Sequence, residues 1–343
     1  MKKKFFTAII CLLTVLCIVL MAMHKFQGQN AVQILHTTGI KGGLVVHLGC
    51  DDGKLTTALC ANDSYMVHGL DTDTKNIDLA RKHIHSLNLY GKVSVAQLTT
   101  SRLPYIDNLV NLIVAEDLDE ISMSEVMRVL APNGVAYIND GGNWTKTVKP
   151  RPKGIDEWTH YLHDASGNAV AHDSVVGPPR RMQWLGSPGY ARHHDRLSSV
   201  SAVVSAAGRI FYILDEASPA SILLPPKWSL AARDAFNGTI LWKRPIGKWH
   251  THLWPLKSGP AQLPRRLVAV GDSVYVTLSL DGPLTKIDAA TGKTIHTYKN
   301  TKGTEEIILY DGILFLLVNK QAKAVSYTHL RAHETSLHLV CRL

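Results

Sequence analysis

The chain has 343 residues, of which 45% are hydrophobic and 19% are charged, and its formal net charge at pH 7 is +9. These fractions are typical of globular protein and exclude a chain that is disordered throughout. Three positive charges belong to Lys2–Lys4 and one to the C-terminal tail, so the +5 that remains is too diffuse for a nucleic-acid-binding surface. The length allows two or three domains, and we expect no nucleic-acid partner.

The N-terminus places three lysines before an uncharged apolar stretch from Phe5 to Met23. A basic cluster followed by an apolar run is typical of a signal peptide, and a run of this length could also nearly span a bilayer as an anchor. Ala22 lies between two methionines rather than in an A-x-A pattern, so cleavage and retention both stay open. We expect residues 1–28 to direct export, with the remaining chain periplasmic or anchored on the outer side of the inner membrane.

Residues 29–149 open with a strand, a glycine turn and a helix start. The apolar run Leu44–Leu48 precedes a turn that begins at Gly49 and ends at Gly53. Glycines in such a turn let a ligand approach the backbone. A second apolar run ends at Asp71, where a carboxylate can accept hydrogen bonds from ribose hydroxyls. The pattern predicts a nucleotide-type site, and a tight turn without a ligand is the alternative.

Helical and strand patterns alternate through the rest of this segment. Val93 and Val95 mark a third strand, and Leu109–Ala115 marks a fourth. This alternation predicts a doubly wound α/β sheet of the Rossmann type. The helix between the second and third strands is predicted to bury one apolar stripe, formed by Ile77, Leu79, Ala80, Ile84 and Leu87.

The segment Glu125–Ile138, read as a helix, a turn and a fifth strand, completes a pattern that resembles class I S-adenosylmethionine-dependent methyltransferases. The resemblance extends from about Gln33 to Asn139 and implies a domain that binds S-adenosylmethionine. It implies that Gly49, Asp51 and Gly53 surround the methionine part, that Asp71 holds the ribose, and that Glu116 and Asp117 edge the pocket.

Three positions depart from the pattern of that family. Its members usually carry an acid where His47 stands, a glycine where Asp51 stands, and an acid for the adenine amino group near Thr99. The carboxylates of Asp51 and Asp52 would attract the sulfonium of the cofactor and repel its carboxylate. The resemblance therefore implies S-adenosylmethionine as the cofactor, whereas methyl transfer and its acceptor stay open.

A change of pattern follows the first domain. Lys146–Lys153 mixes prolines with basic residues, which favours an extended connection and a domain boundary near Lys149. Beyond it, short alternating apolar runs replace helical stripes and predict an all-β architecture. These runs are Arg209–Leu214, Ser273–Leu278 and Gly312–Leu317.

A sequence repeat accompanies these strands. Ala232–Trp242 aligns with Lys286–His296 at a spacing of 54 residues, and a spacing near 50 is typical of propeller blades. Trp242 is expected to pack between neighbouring sheets. Each copy contains an Asp-Ala-x-x-Gly turn whose glycine is predicted to have a positive φ, namely Asp234 with Gly238 and Asp288 with Gly292.

The repeat resembles the pyrrolo-quinoline quinone (PQQ) type found in quinoprotein dehydrogenases and in outer-membrane assembly propellers. Because the motif marks a blade rather than a cofactor site, we do not expect PQQ itself. Residues 201–324 hold two blades and part of a third, and since closed propellers use about four to eight, we expect further blades. The run Val325–Thr335 resembles a translated transposon-based sequencing adaptor, so residues 325–343 are set aside as a non-native tail.

The junction, residues 150–200, and the loops after it are rich in histidine, carboxylate and tryptophan. Imidazole with carboxylate suits zinc, copper or iron, and on a helix His160 and His163 would share one face. Hydrogen-bonded packing is the alternative, and no metal is assigned. The candidate ligands are His160, His163, His193, His194, His250 and His252, with Asp164, His172, Asp173 and Asp195 nearby.

The sequence is compatible with three functions. The first is an exported S-adenosylmethionine-dependent methyltransferase-like protein that binds a small nucleoside-type ligand. The second is a non-catalytic scaffold of the cell envelope whose propeller binds a protein or a polysaccharide. The third is a quinone- or metal-dependent oxidoreductase. The domain order, with Asp156–Asp164 at the junction, resembles long exported proteins of planctomycete-like bacteria.

Overall fold

A computed structural model describes residues 30–177, 182–187, 200–221, 224–249, 263–319 and 338–342. The chain divides into two compact units, with Pro150 the last residue of the first and Arg151 the first residue of the second. Within the described residues, none of the helices has the length and apolar character needed to span a membrane.

The first unit is a six-stranded sheet with helices, which confirms the doubly wound α/β class. A helix over residues 30–38, here α1, precedes β1 (Gly43–Leu48), α2 (Lys54–Leu59), β2 (Tyr65–Asp71), α3 (Thr74–Ser86), β3 (Val93–Gln97), β4 (Val110–Ala115), α4 (Met123–Val129), β5 (Leu130–Asp140) and β6 (Asn143–Val148). The strand order is β3-β2-β1-β4-β5-β6, and every neighbouring pair is parallel except β5 with β6.

The central strand β1 is buried along its whole length. Val45 joins the apolar layer on one face of the sheet, and Val46 joins the layer on the other. A strand covered on both faces needs an unbroken apolar run, which is the pattern that its sequence shows. This strand therefore fixes where both layers of the core meet the sheet.

Helix α3 buries a narrower stripe than the sequence predicts. Its N-cap Asp73 accepts a hydrogen bond from the backbone N–H of Lys75. Leu79 and Leu87 are 54% and 41% exposed, so their assignment to the stripe was wrong. The buried residues of α3 are Ile77, Ala80 and Ile84, whose i, i+3, i+7 spacing keeps them on one narrow face. Leu79 falls on another face of the helix, and Leu87 is the C-cap residue that follows its last turn.

The linker expected after the first domain begins later than the sequence predicts, because its first residues belong to strand β6. The sequence predicts an extended connection over Lys146–Lys153, but Lys146 and the next two residues belong to β6 and pair antiparallel with β5. The ring of Trp144 stacks on Tyr137 with centroids 4.8 Å apart, which ties the added strand to its neighbour. Lysine and threonine suit this position because an edge strand keeps a solvent-facing side.

The second unit consists of antiparallel sheets of the β-propeller type, which confirms the all-β prediction. The first sheet contains β7 (Val200–Ala206), β8 (Arg209–Asp215), β9 (Trp228–Asp234) and β10 (Ile240–Pro245), and the second contains β11 (Leu267–Val270), β12 (Ser273–Thr277), β13 (Leu284–Asp288) and β14 (Thr294–Thr297). The third contains β15 (Thr304–Tyr310), β16 (Ile313–Val318) and β17 (His338–Arg342). Strand β17 comes from the segment set aside as a tail, and its backbone pairs antiparallel with β16.

The repeated turns have the predicted backbone. Gly238 and Gly292 have φ values of 73° and 70°. The carboxylate of Asp234 accepts from the backbone N–H groups two and three residues later, and that of Asp288 accepts from the N–H and hydroxyl of Thr291. Each aspartate thus supplies the acceptor that its turn would otherwise lack.

A tryptophan covers each of these turns. The Nε1 of Trp242 donates to the Ala289 carbonyl at 3.0 Å, which confirms that Trp242 bridges neighbouring sheets. Trp184 repeats the contact one blade earlier by donating to the Ala235 carbonyl, also at 3.0 Å. The sequence did not predict this role for Trp184, whose only signal is its position ahead of the first repeat.

A short segment of the junction crosses the edge strands of all three sheets. Trp158 exchanges hydrogen bonds with Ser205 of β7. The Thr159 carbonyl accepts from Ala269 of β11, and a ring nitrogen of His160 accepts from the N–H of Leu309 in β15. Sheet edges carry unpaired N–H groups. This segment, residues 158–160 and here called the junction strap, supplies an acceptor to one N–H of an edge strand in each of the three sheets described in the second unit.

The turn glycines generate a prediction about stability. A Cβ at Gly292 would lie 2.6 Å from the Trp242 ring, whereas a Cβ at Gly271, also in the left-handed region, would meet no atom within 4 Å. Gly271→Ala should destabilise by about 1 kcal/mol through backbone strain, and Gly292→Ala by a further ~1–3 kcal/mol through overpacking. Urea unfolding followed by tryptophan fluorescence measures both, and equal losses would contradict the packing role of Trp242.

Candidate functional site

The predicted ligand residues of the first unit converge at one end of the sheet. The turn from Gly49 to Gly53 follows β1, Asp71 ends β2, and Glu116 and Asp117 follow β4. The strand order reverses between β1 and β4, and in open α/β sheets this switch point forms a crevice outside the carboxyl ends of the strands. The structure therefore places all of these residues at the position where such folds bind ligands.

The two glycines of the turn have different surroundings. A Cβ at Gly49 would meet no atom within 4 Å, so its backbone borders open space. A Cβ at Gly53 would lie 2.8 Å from the Cβ of Ala80, so this glycine permits close packing of α2 against α3. Asp51 has a φ of 43°, in the left-handed region that glycine adopts most readily. Of the two glycines in this turn, Gly49 is therefore the one whose backbone a ligand can approach.

Asp71 holds the turn in place. The residue is 7% exposed, and its carboxylate accepts from the backbone N–H of Asp51 at 3.0 Å and of Asp73 at 2.9 Å. The side-chain amide of Asn76 donates to both carboxylate oxygens, at 3.2 and 3.3 Å. The sequence did not predict the role of Asn76, whose only signal is a polar residue in the first turn of the helix after the acid. Asp71 is thus an organiser of the loop as well as the predicted ribose ligand.

The turn carries uneven negative charge. Burial, and after it the neighbouring Asp71 and Asp52, raise the pKa of Asp51. Burial also raises the pKa of Asp52, but the hydrogen bonds and charge of Lys54 outweigh it, so the net pKa of Asp52 is lowered. Glu116 and Asp117 are exposed at the opposite side of the switch point. Acids therefore follow the strands on both sides of the switch point, and Lys54 is paired to Asp52.

His47 is a core residue. Its ring is 3% exposed, and its Nδ1 lies 2.8 Å from the Thr56 hydroxyl. Burial lowers the pKa of His47 to about 4, against a smaller opposing effect of Asp71. The ring is therefore neutral at pH 7, and it links β1 to α2 at a position where the related family usually has an acid.

The described histidines of the second unit separate into two kinds. His160 and His163 face each other across an antiparallel bridge, so they do not lie on a helix face as the sequence allowed. Both ring nitrogens of His160 are occupied, one by the Thr159 hydroxyl at 2.8 Å and the other by the Leu309 N–H at 3.1 Å. Burial lowers the pKa of His160 to about 4, so this residue is a neutral structural histidine.

His163 lies in a polar cluster with Asp156 and His172. Its Nε2 is 2.7 Å from an Asp156 carboxylate oxygen, and its ring centroid is 5.2 Å from that of His172. Burial raises the pKa of Asp156, but the N–H groups of His172 and Glu157 and the His163 ring lower it by more. The sequence did not predict a role for Asp156. The other metal candidates, His193, His194, His250 and His252, lie outside the described residues, as does Asp195.

Comparison with known proteins agrees with this geometry in both units. Residues 45–134 match the family model described as a methyltransferase domain. Residues 147–298 match the family model described as outer membrane protein assembly factor BamB. The chain thus joins a Rossmann-type domain to a repeat domain. More specifically, it carries a methyltransferase-like domain followed by a BamB-like, PQQ-type repeat domain.

Three proteins named as methyltransferases are each similar to about a third of this chain. Demethylmenaquinone methyltransferase of Lactobacillus johnsonii is 33% identical over 116 residues, covering 31% of this chain and 47% of that protein. The chain thus spans about half the length of this curated relative. A crystal structure of a candidate S-adenosyl-L-methionine-dependent methyltransferase from Methanococcus maripaludis is 27% identical, with a TM-score of 0.30, over 34% of this chain and 56% of that one. The crystal structure of geranyl diphosphate C-methyltransferase from Streptomyces coelicolor is 17% identical, with a TM-score of 0.31, over 34% of this chain and 46% of that one.

The burial of His47 generates a pH prediction. An unfolded His47 takes up a proton near its ordinary pKa of 6.5, whereas the folded ring does so only near 4. Acidification through this window therefore favours unfolding, by up to about 1.4 kcal/mol per pH unit, and stability is fully restored above it. In a histidine-selective NMR titration, the resonance that is missing from a His47→Gln variant identifies the His47 ring. That resonance should show a neutral ring down to about pH 5. A midpoint near the ordinary value would contradict the assignment.

Proposed function

We propose that the first unit binds S-adenosylmethionine, or a closely related nucleoside, in the crevice at the carboxyl ends of β1, β2 and β4. The observation that carries this proposal is the open space beside Gly49, next to the carboxylate of Asp71, at the switch point of the sheet. Folds of this type bind ligands at the switch point. A glycine there with nothing packed against it lets a bound nucleoside approach the backbone closely.

The residues present fit this ligand in chemical type. Asp71 is anchored by three donors, so its carboxylate has a fixed position. Because the Asn76 amide contacts both carboxylate oxygens, ribose hydroxyls would take over the lone pairs that Asn76 occupies. The acids of the turn favour a cation, and the sulfonium of S-adenosylmethionine is a cation. Bound there, the cofactor would supply an electrophilic methyl group for transfer to a nucleophile, which is the activity that the methyltransferase domain favours.

Binding should depend on Gly49 more than on the overall stability of the domain. Gly49→Ala places a methyl group in the open crevice and should weaken S-adenosylmethionine binding about tenfold or more. Gly39→Ala is the matched control, because Gly39 also has a positive φ of 76° with no atom near its Cβ, but it precedes β1 at the opposite end. Asp71→Asn, which removes the charge at similar size, should also weaken binding. Isothermal titration calorimetry of the full chain measures all four proteins.

The outcomes of that titration separate two functions. Micromolar binding that is lost in Gly49→Ala and kept in Gly39→Ala supports the cofactor site. No heat of binding from a folded wild-type chain would contradict it. That result would instead favour a non-catalytic envelope scaffold, in which the methyltransferase fold is a spacer and the propeller binds a protein or polysaccharide.

We further propose that the chain is exported, with residues 1–28 as the signal or anchor. The support is the order of Lys2–Lys4 and the uncharged run Phe5–Met23. A fusion of residues 1–28 to alkaline phosphatase lacking its own signal should be active in cells, because this enzyme requires the oxidising periplasm. A Leu16→Arg change in the apolar run should abolish that activity, and equal activity of both fusions would contradict export through this segment.

A further inference from the structure

The cluster in the second unit is built by backbone contacts at both ends of one loop. The N–H of Asp156 donates to Asp173 at 3.1 Å, and the N–H of His172 donates to Asp156 at 2.5 Å. These bonds close the loop, and His163 enters it from the bridge with His160. As a result, one ligating atom each from Asp156, His163 and His172 lies within 4.8 Å of the others.

The ring of His163 is only half satisfied in this arrangement. Because the Asp156 carboxylate can only accept, the Nε2 of His163 carries the proton of their 2.7 Å hydrogen bond. In the neutral ring, Nδ1 is then an acceptor. It belongs to a residue that is 2% exposed, and it has no hydrogen-bond partner among the residues that the structure describes. An Asp164 carboxylate oxygen lies 3.6 Å away and is also an acceptor, on a side chain that is 41% exposed. A buried Nδ1 that faces another acceptor is left without a donor, which is unfavourable.

A cation at Nε2 would remove this conflict. The ion replaces the Nε2 proton, and the neutral ring then carries its proton on Nδ1, where it can donate to Asp164 after a small approach of the two groups. Histidines that ligate metals usually donate their second N–H to a carboxylate in this way. Asp164 is held in position by the N–H and hydroxyl of Ser166, at 2.8 and 2.6 Å.

We propose that Asp156, His163 and His172 bind a divalent transition-metal ion, with Asp164 as the residue that orients His163. Two imidazoles and one carboxylate suit Zn²⁺ and its first-row neighbours rather than Mg²⁺ or Ca²⁺, which prefer oxygen ligands alone. Ligand atoms around a tetrahedral zinc ion are about 3.4 Å apart, so the cluster needs shifts on the order of 1 Å. Three protein ligands leave one position for water or a substrate, and the exposed His172 gives access from solvent.

The test uses the full chain with Zn²⁺ or Co²⁺ as the probe. Equilibrium dialysis should show one tightly bound equivalent, and Co²⁺ should give visible d–d absorption from a low-symmetry site. His172→Ala and Asp156→Asn should each lower the affinity at least tenfold. His296→Ala is the matched control, because His296 is an exposed histidine on β14 of the same unit and is not part of the cluster. His172 is exposed, so its loss should leave the fold intact, which circular dichroism checks.

Two results would overturn the proposal. One is a wild-type chain that binds Zn²⁺ or Co²⁺ no more tightly than the His172→Ala variant does, whether both bind the metal or neither does. The other concerns the ring of His163, whose proton should move from Nε2 to Nδ1 when Zn²⁺ binds, as ¹⁵N NMR can measure. A proton that stays on Nε2 in the zinc-loaded chain would exclude His163 as an Nε2 ligand.

Asp164→Asn should weaken Zn²⁺ binding by roughly 10–100-fold and alter the Co²⁺ spectrum, which a purely structural residue would not do.

Discussion

One constraint acts on both units of this chain. Backbone N–H groups are left unpaired at the ends of strands and at the edges of sheets. Such groups cannot be buried without an acceptor, so the sequence must supply one at each place. In the first unit the acceptor is Asp71, which binds the N–H groups of Asp51 and Asp73. In the second unit the junction strap and the turn aspartates do the same for the sheet edges and hairpins. The candidate ligand sites lie beside these acceptors.

This arrangement explains why a structural role and a binding role fall on the same residue. An acid that is already held by fixed donors keeps one orientation, and a fixed acceptor loses less entropy when a ligand binds. Asp71 is fixed by the loop that it organises, and Asp164 is fixed by Ser166. Asp71 would use such a fixed acceptor toward a ribose, and Asp164 would use one toward His163, the metal ligand that it orients.

Burial decides which histidines are available for chemistry. His47 and His160 are both buried, both are hydrogen bonded to threonine hydroxyls, and the pKa of each is lowered to about 4. They are neutral packing residues that connect elements. His163 is equally buried, but within the described part of the chain one of its nitrogens has no hydrogen-bond partner. The incomplete hydrogen bonding of a buried ring, rather than its place in a histidine-rich segment, distinguishes a possible ligand from a core residue.

The sequence by itself determined the order of elements and the chemistry of the turns. Apolar runs located β1, β2, β4 and the blade strands because a buried strand must be apolar, and the glycine turn and Asp71 followed from local backbone requirements. The repeat with Asp234 and Asp288 predicted two blades because each copy folds as a local hairpin. These features depend on residues that are close together in the chain, so a linear pattern contains them.

Only the tertiary structure decided which side chains meet. It separated the open Gly49 from the packed Gly53, although both have a positive φ. It exposed Leu79, turned the start of the expected linker into β6, and placed His160 and His163 on a bridge. It also joined Asp156 to His163 and His172, because the distance between residues far apart in the chain depends on how the loop closes. Burial and proton positions on imidazole rings depend on those distant neighbours, and a linear pattern does not record them.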